Sequence, residues 1–258
     1  MGRLHLFEFN DQTWMPDVLR DAMTGYLETI SRKFKMHEPM TPVIQDALDR
    51  SGATQIVDLC SGGAGPLLHI HQALKPSVPI LLTDKFPNAT VFKAADAIDG
   101  VTAITESIDA RDVPADMRGL RTIFNGLHHF QPSDARAILA DAWDKDAPIV
   151  IIEIAERTVP NILSSPLILL FTLIFMPMVR PTRWQYWLFT YLIPIIPLLI
   201  LWDGLVSHLR VYSPDELRAL TKGMDKPGYR WEVDRLPIIP GAFMTLLRGI
   251  PTTDGQHT

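Results

Sequence analysis

Residues 58–66 read Asp-Leu-Cys-Ser-Gly-Gly-Ala-Gly-Pro, and they are the most informative part of the sequence for the class of fold. An apolar run leads into its acidic first residue, and a helix-like segment follows it. Glycines let a backbone adopt positive φ and approach a ligand closely, while the free N–H groups at a helix N-terminus favour a phosphate or a carboxylate. The next apolar run ends at Asp84, where an acid suits ribose hydroxyls. Together, the glycine turn and Asp84 favour a nucleotide-type site over a tight strand–helix connection that binds no ligand.

Outward from this turn, short apolar runs alternate with helix-like segments. Five runs are rich in Ile, Leu and Val and are bounded by Gly, Pro, Asp or Ser: Gln55–Leu59, Pro79–Thr83, Val101–Thr105, Leu120–Phe124 and Pro148–Ile154. Such runs are typical of buried parallel strands. The predicted helices between them are Pro66–Leu74, Ala89–Ile98 and Ser133–Asp144, the last with Ser133 as its N-cap. Strand and helix in alternation predict a doubly wound, Rossmann-like α/β sheet.

The C-terminal part is expected to complete this sheet. Ser213 is a predicted N-cap, with Pro214 at the first helical position and Glu216 at the reciprocal capping-box position. Two further strands are predicted at Tyr229–Leu236 and Phe243–Arg248. The residues that separate them are Pro237, Pro240 and Gly241. The result is a seven-stranded, mostly parallel sheet with an antiparallel end.

Composition and charge exclude several classes of protein. The 258 residues carry a net charge of −5, with 47% hydrophobic and 21% charged residues. This argues against disorder and against a nucleic-acid partner, which needs a basic face. A single cysteine, Cys60, excludes a disulfide framework and a multi-cysteine zinc site, and it suits a reducing cytosol. No metal site and no signal peptide are predicted, and the expected localisation is cytoplasmic.

The segment Val159–Trp202 is unusually apolar. Its only charges are Arg180 and Arg183, which separate two uncharged stretches, Ile162–Val179 and Trp184–Trp202. Both are near the ~18–20 residues that cross a bilayer, yet prolines interrupt both, and the arginine turn has the wrong sign for a loop outside the membrane. We expect helices that cover the open strand ends as an apolar lid and touch lipid at the inner membrane face with part of their outer surface. A buried lid alone and a two-span hairpin are the alternatives.

Four segments resemble the ordered landmarks of the class I S-adenosylmethionine-dependent methyltransferases. The glycine turn is similar to motif I of that family, and the segments similar to those after its second, third and fourth strands are Leu82-Thr-Asp84-Lys-Phe-Pro-Asn88, Ser107-Ile-Asp109-Ala110-Arg-Asp112 and Phe124-Asn125-Gly-Leu-His128-His129-Phe130. The resemblance covers about residues 50–155 and 213–250 and extends to a bacterial group of such enzymes of unknown acceptor. It implies S-adenosylmethionine as the cofactor. The residues implied to bind it are Asp58, Cys60, Ser61, Gly62, Gly63, Gly65, Asp84, Lys85, Phe86, Asp109, Ala110 and Asn125.

Three residues are candidates for catalysis. His128 and His129 follow the predicted fourth strand, at the edge where doubly wound sheets open toward ligands. Either is a candidate general base for an acceptor that loses a proton, and a capping or packing histidine is the alternative. Asp203 follows the apolar segment and is the third candidate, unless Asp203-Gly204 is only a turn that ends a helix. Glu153, in the fifth strand, is expected to reach the acceptor or to pair with Arg157.

These features predict four segments. They are a helical N-terminal cap at 1–50, with helices at Asp17–Ile30 and Pro42–Arg50; a cofactor-binding α/β core at 51–158; the apolar helical insertion at 159–212; and a last helix and two strands at 213–258. The predicted function is methyl transfer from S-adenosylmethionine to an O, N or C atom of a lipophilic small molecule or lipid. A non-catalytic module that binds the cofactor or its demethylated product, or a membrane-associated scaffold on the same fold, is the alternative from another class.

Overall fold

A computed structural model of the chain describes residues 2–63, 65–239 and 242–252. Among them, the α-helices are α1 (Asp17–Lys33), α2 (Thr41–Ser51), α3 (Leu67–Ala73), α4 (Ala89–Ala95), α5 (Pro132–Asp144), α6 (Val159–Ser164), α7 (Leu167–Phe175), α8 (Trp184–Trp187), α9 (Ile195–Arg210) and α10 (Pro214–Thr221). The strands are β1 (Ile56–Asp58), β2 (Ile80–Asp84), β3 (Val101–Ser107), β4 (Leu120–Phe124), β5 (Ile149–Glu153), β6 (Tyr229–Ile239) and β7 (Ala242–Pro251). Short 3-10 turns occupy Phe9–Asp11, Leu127–His129 and Met176–Met178, and a π-helical turn occupies Leu188–Leu192.

All seven strands form one sheet in the order β3-β2-β1-β4-β5-β7-β6. Strands β1 to β5 pair in parallel, and β7 runs antiparallel to both β5 and β6. Every residue of β5 is buried, as expected for a parallel strand covered on both faces. The predicted seven-stranded, mostly parallel α/β sheet is therefore confirmed.

The β6–β7 pair corrects one detail of the sequence analysis. Pro237 does not separate the two strands but lies within β6, where the register shifts between Pro237 and Ile239. A proline is tolerated there because β6 is the edge strand, where a missing N–H breaks no ladder on the open side. The other two predicted separators, Pro240 and Gly241, lie outside the described residues, as do residues 253–258.

Two helix starts were predicted from capping residues, with different outcomes. The Ser213 capping box is present: Ser213 Oγ accepts from the Glu216 amide at 3.3 Å, and Glu216 Oε2 accepts from the Ser213 amide at 2.8 Å. The predicted N-cap at Ser133 is wrong. Gln131 is the N-cap of α5, because Pro132 already has the fixed φ that suits the first helical position.

The chain divides into two compact units. Met1–Met36 and Ala155–Tyr212 form a helical unit, and His37–Ile154 and Ser213–Thr258 form the unit that contains the sheet. The helical unit is thus assembled from two segments that are far apart in sequence. The predicted four-segment division, and the role of residues 159–212 as a lid over the strand ends, remain predictions.

Inside the helical unit, α1 packs against α7, α8 and α9. Its buried core combines residues of both segments: Met15, Ala22, Met23, Tyr26, Met176, Val179, Tyr186, Ile196 and Ile200. Asp203 and Gly204 both lie within α9, so the alternative that they form a helix-ending turn is wrong. Helices α7 and α9 approach closely here, since a Cβ at Gly204 would lie 2.7 Å from Cδ1 at the end of the Ile168 side chain.

The apolar helices are short or broken. Within the described residues, no single helix has the length and hydropathy needed to cross a membrane. One pair of described helical segments has the required length and hydropathy when the two are counted together: Trp184–Leu192 and Ile195–Arg210. The chain bends by 78° at the break between them.

Candidate active site

The turn between β1 and α3 has the unusual backbone that its glycines predict. The angle φ is +46° at Gly62 and +39° at Gly65, and it is +59° at Cys60. A Cβ added to Gly62 would meet only the Cys60 carbonyl oxygen, at 3.9 Å, and one added to Gly65 would meet nothing within 4 Å. The positive φ favours glycine at both positions, and the space beside both residues is open.

Buried hydroxyl groups tie this turn to the strands on either side. Ser61 Oγ donates to the Asp58 carbonyl at 3.1 Å and accepts from the Thr83 amide at 3.1 Å. From β4, Thr122 Oγ1 donates to Asp58 Oδ1 at 2.6 Å. Burial raises the pKa of Asp58 to about 7, while the hydrogen bonds of Thr122 and Ser61 act in the opposite direction.

Asp84 lies directly against the glycine turn. Its Oδ2 accepts from the Gly62 amide at 2.8 Å, and its Oδ1 accepts from the Phe86 amide at 2.8 Å. Because a carboxylate offers about four lone-pair positions, both oxygens retain capacity for a ligand hydroxyl. Phe86 is 81% exposed, so its ring is open to a flat partner. Acceptor oxygens and an aromatic face thus lie side by side at the end of β2.

Asp109, after β3, is held by two cations. Its Oδ2 accepts from Lys85 Nζ at 2.9 Å and from Arg111 Nη2 at 2.7 Å, and its Oδ1 accepts from Arg111 Nε at 2.9 Å. Hydrogen bonds from Arg111 are the main cause that holds the pKa of Asp109 well below its usual range. Arg111 also binds Asp134 at 2.7 Å, and Ala110 is buried between its two charged neighbours. Arg111 is a residue that the sequence analysis missed, although an arginine two positions after an aspartate was a visible signal.

The segment after β4 lies next to the glycine turn. Asn125 has φ of +50°, and its Oδ1 accepts from the Ile154 amide at 2.7 Å. A Cβ added to Gly126 would lie 2.8 Å from Ile123 Cγ2 and 3.5 Å from Cys60 Cβ. Burial raises the pKa of the Cys60 thiol, which disfavours the reactive thiolate form.

His128 and Glu153 form a buried pair at the ends of β4 and β5. His128 Nδ1 lies 2.6 Å from Glu153 Oε2, and the His128 amide donates to Glu153 Oε1 at 3.1 Å. Burial acts to raise the pKa of Glu153, but the charge and hydrogen bonds of His128 outweigh it, so the pKa lies below its usual value. Because an ionised carboxylate only accepts hydrogen bonds, the contact with Glu153 places a proton on Nδ1 and makes Nε2 the ring nitrogen that could exchange a proton. The His129 ring lies against that of His128, with centroids 4.2 Å apart and the ring planes tilted by 34°.

Asp203 belongs to the helical unit, where its carboxylate has two backbone donors. Oδ1 accepts from the Phe9 amide at 2.7 Å, and Oδ2 accepts from the Asn10 amide at 2.9 Å. These bonds fix the 3-10 turn of the N-terminal segment to α9. The catalytic role of Asp203 stays a prediction.

Comparison with known proteins gives a match in structure. No family model and no curated protein sequence matches the chain. The plantazolicin methyltransferase BpumL in complex with SAH superposes with a TM-score of 0.53 and 10% identity, over 91% of this chain and 98% of BpumL. BamL, a plantazolicin methyltransferase in complex with a triazolic desmethylPZN analog and SAH, gives the same TM-score, identity and coverage. This chain has the class I methyltransferase fold.

Within this methyltransferase fold, the residues predicted to bind the cofactor gather at the carboxyl ends of β1 to β4. Two contacts bring several of them together: the Gly62 amide with Asp84, and Lys85 with Asp109. Glu153 is the partner of His128 that the sequence analysis did not anticipate. Its position at the end of the strand beside β4 was the available signal.

Proposed function

We propose that this chain transfers a methyl group from S-adenosylmethionine to an O, N or C atom of a lipophilic small molecule or lipid. The observation that carries the proposal is the open glycine turn with Asp84 against it, at the carboxyl ends of the strands of a methyltransferase fold. The structures of BpumL and BamL that share this fold are complexes with SAH, the demethylated product of that cofactor.

The chemistry of the residues present fits the cofactor. Asp84 supplies carboxylate oxygens for ribose hydroxyls, and the exposed ring of Phe86 supplies a face for the adenine. The open space beside Gly62 and Gly65 suits the methionine portion. Lys85 and Arg111 hold the loop in which we place Asp109 and Ala110 as the border of the adenine site. When bound, S-adenosylmethionine supplies a methyl group on a positively charged sulfur.

The residues of the chain align the acceptor and move one proton. We assign His128 Nε2 as the base that takes the proton from an acceptor hydroxyl or amine. Glu153 is a positioning residue: it fixes the tautomer and the ring orientation of His128 and stabilises the imidazolium that forms. The His129 ring lies against the same ring, and we place it in the wall of this site. Methyl transfer is an in-line displacement, so alignment and exclusion of water supply much of the remaining rate.

The apolar character of the helical unit supports a lipophilic acceptor. Residues 159–202 contain no acidic side chain, and most of them are aliphatic or aromatic. Apolar surface contributes about 25 cal/mol per Å² to the binding of an apolar ligand. A long-chain or polycyclic acceptor gains this binding free energy, whereas a charged acceptor does not.

Mass spectrometry of lipid and small-molecule extracts tests the proposal. A strain that lacks the gene is compared with the same strain complemented by the wild type, by His128→Gln, or by Lys222→Gln. Lys222 is the control because it is exposed and lies at the C-terminal end of α10. We expect one species to lose a CH₂ unit in the deletion strain and to be restored by the wild type and the control but not by His128→Gln. Identical extracts from all strains contradict methyl transfer. Tight binding of S-adenosylmethionine without any turnover supports the non-catalytic binding module instead.

A further inference from the structure

The helical unit exposes large apolar side chains that its own core does not bury. Those on α7 are Leu167, Leu170 and Ile174, and those around the break before α9 are Tyr191, Leu192 and Leu198. Leu192 is 76% exposed, although it lies only a few residues from the buried Ile196. These six residues are referred to below as the apolar face. Scattered single leucines on a protein surface are ordinary, but a contiguous group of this size marks an interaction site.

The two parts of the apolar face are joined by direct contacts. Tyr191 Oη donates to the Leu173 carbonyl of α7 at 2.5 Å, and α7 packs along α9. The face extends to the end of α1, because the Phe34 ring lies 5.7 Å from Phe175 and 6.1 Å from Phe171. Phe34 is itself 46% exposed. The face is therefore one surface that three helices build together.

Basic residues lie in the segments that build this surface. Arg32 and Lys33 directly precede Phe34 and are exposed. Arg180 is exposed as well, and its Nη1 is held by the carbonyl of Pro177 and by Thr182 Oγ1. Between Val159 and Trp202 the chain has no Asp or Glu. Basic side chains beside an apolar surface complement anionic lipid headgroups.

The aromatic residues at this surface also suit a membrane interface. Trp187 and Tyr191 stack with centroids 5.6 Å apart, and each is about half exposed. Such rings have an apolar body and a polar edge and concentrate at the headgroup level of bilayers. A symmetric dimer through the same patch would place the arginines and lysines of both copies near one another, which is unfavourable. Lipid has the opposite charge and accepts the same apolar residues.

We propose that the helical unit binds the surface of a bilayer with anionic headgroups through the apolar face. Leu192 and its neighbours enter the boundary of the acyl chains, Trp187 and Tyr191 lie at the headgroups, and Arg32, Lys33 and Arg180 contact the lipid anions. The proposal stands apart from methyl transfer, since it concerns binding to lipid alone.

Vesicle flotation without cofactor or acceptor tests this surface. The full chain is mixed with vesicles of phosphatidylcholine alone or of phosphatidylcholine with phosphatidylglycerol. We expect flotation with the anionic vesicles, and a blue shift of tryptophan emission that Trp187→Phe reduces. Leu192→Ser should weaken binding by about tenfold or more, because an inserted leucine is lost. Leu4→Ser is the matched control: Leu4 is another exposed leucine of this unit, and its amide bonds to the Leu209 carbonyl at the far end of α9.

A second pair of variants tests the contribution of charge. Each basic residue beside an anionic membrane strengthens binding by about fivefold, so Arg32→Gln with Lys33→Gln should weaken binding to anionic vesicles by about 25-fold. No flotation of the wild type overturns the proposal, as does an equal loss for Leu4→Ser and Leu192→Ser. A wild-type dimer in sedimentation that Leu192→Ser converts to a monomer, without vesicle binding, also overturns it and assigns the face to self-association.

Discussion

The carboxyl group of Asp58 lies where water does not reach. It is buried at the end of β1, and its Oδ1 accepts a hydrogen bond from Thr122 Oγ1. Burial raises its pKa from 3.8 to about 7. The folded chain therefore binds this proton more tightly than the unfolded chain does, and stability depends on pH through this one group.

The raised pKa of Asp58 fixes the direction in which the free energy of unfolding changes with pH. Between about pH 4 and about pH 7 the unfolded carboxyl is ionised while the folded one still carries its proton, so the free energy of unfolding falls as pH rises. The contribution is on the order of 4 kcal/mol across that range. Asp58→Asn removes the titration and keeps an oxygen for Thr122. In urea unfolding, the free energy of unfolding of the variant should increase relative to that of the wild type as pH rises. A difference that does not change with pH would contradict the raised pKa of Asp58.

A second prediction concerns the His128–Glu153 pair. His128→Gln should lower kcat by about 10²-fold, the usual contribution of a general base. Glu153→Gln keeps a hydrogen-bond acceptor but removes the charge, so it should lower kcat with little change in KM for S-adenosylmethionine. His69→Gln on α3 is a matched control and should retain kcat. Full activity in both site variants would remove the pair from catalysis.

The N-terminus of α10 allows a test of helix capping. Ser213 Oγ and Glu216 Oε2 each accept from the amide of the other residue. Ser213→Ala should reduce the free energy of unfolding by about 1 kcal/mol, while Ser213→Thr keeps the hydroxyl and should cost less. Thermal or urea unfolding measures both. Equal losses for the two variants would show that the hydroxyl does not act as a cap.

Strands β1, β2, β4 and β5 were predictable because burial leaves a direct mark on composition. A parallel strand covered on both faces must be apolar throughout, as Ile149–Ile152 is, and polar or glycine residues end it. Edge elements carry a weaker mark, so Pro237 was taken as a boundary although β6 continues through it. Gly204 was ambiguous for a related reason, since the close approach of α7 and α9 there is not visible in the local sequence.

Some contacts of the candidate site could be predicted from the sequence, and others could not. The carboxyl ends of parallel strands share one edge, so Asp58 and Asp84 could be expected close together. The pairing of His128 with Glu153 depends on side-chain directions at two strand ends, which periodicity does not define. The helical unit was hidden for another reason, because its two segments meet through long-range contacts such as that of Asp203 with Phe9.

Asp203 makes a prediction about this assembly. Asp203→Ala removes the acceptors of the Phe9 and Asn10 amides and should speed proteolysis in residues 2–16. Asp203→Asn keeps one acceptor oxygen and should have a smaller effect. Limited proteolysis with mass analysis of the fragments measures the change. Unchanged cleavage together with lost activity would favour the predicted catalytic role over the structural one.

Calorimetric titration with S-adenosylhomocysteine shows whether the glycine turn binds the cofactor. Asp84→Ala is compared with the wild type and with Asp116→Ala, a control at an exposed aspartate before β4, at the opposite edge of the sheet. The wild type and the control should bind one equivalent with equal affinity. Asp84→Ala should bind more weakly by about 1–3 kcal/mol, as expected when a charged hydrogen-bond partner is lost. No binding by the wild type, or equal affinity for Asp84→Ala, would contradict the account.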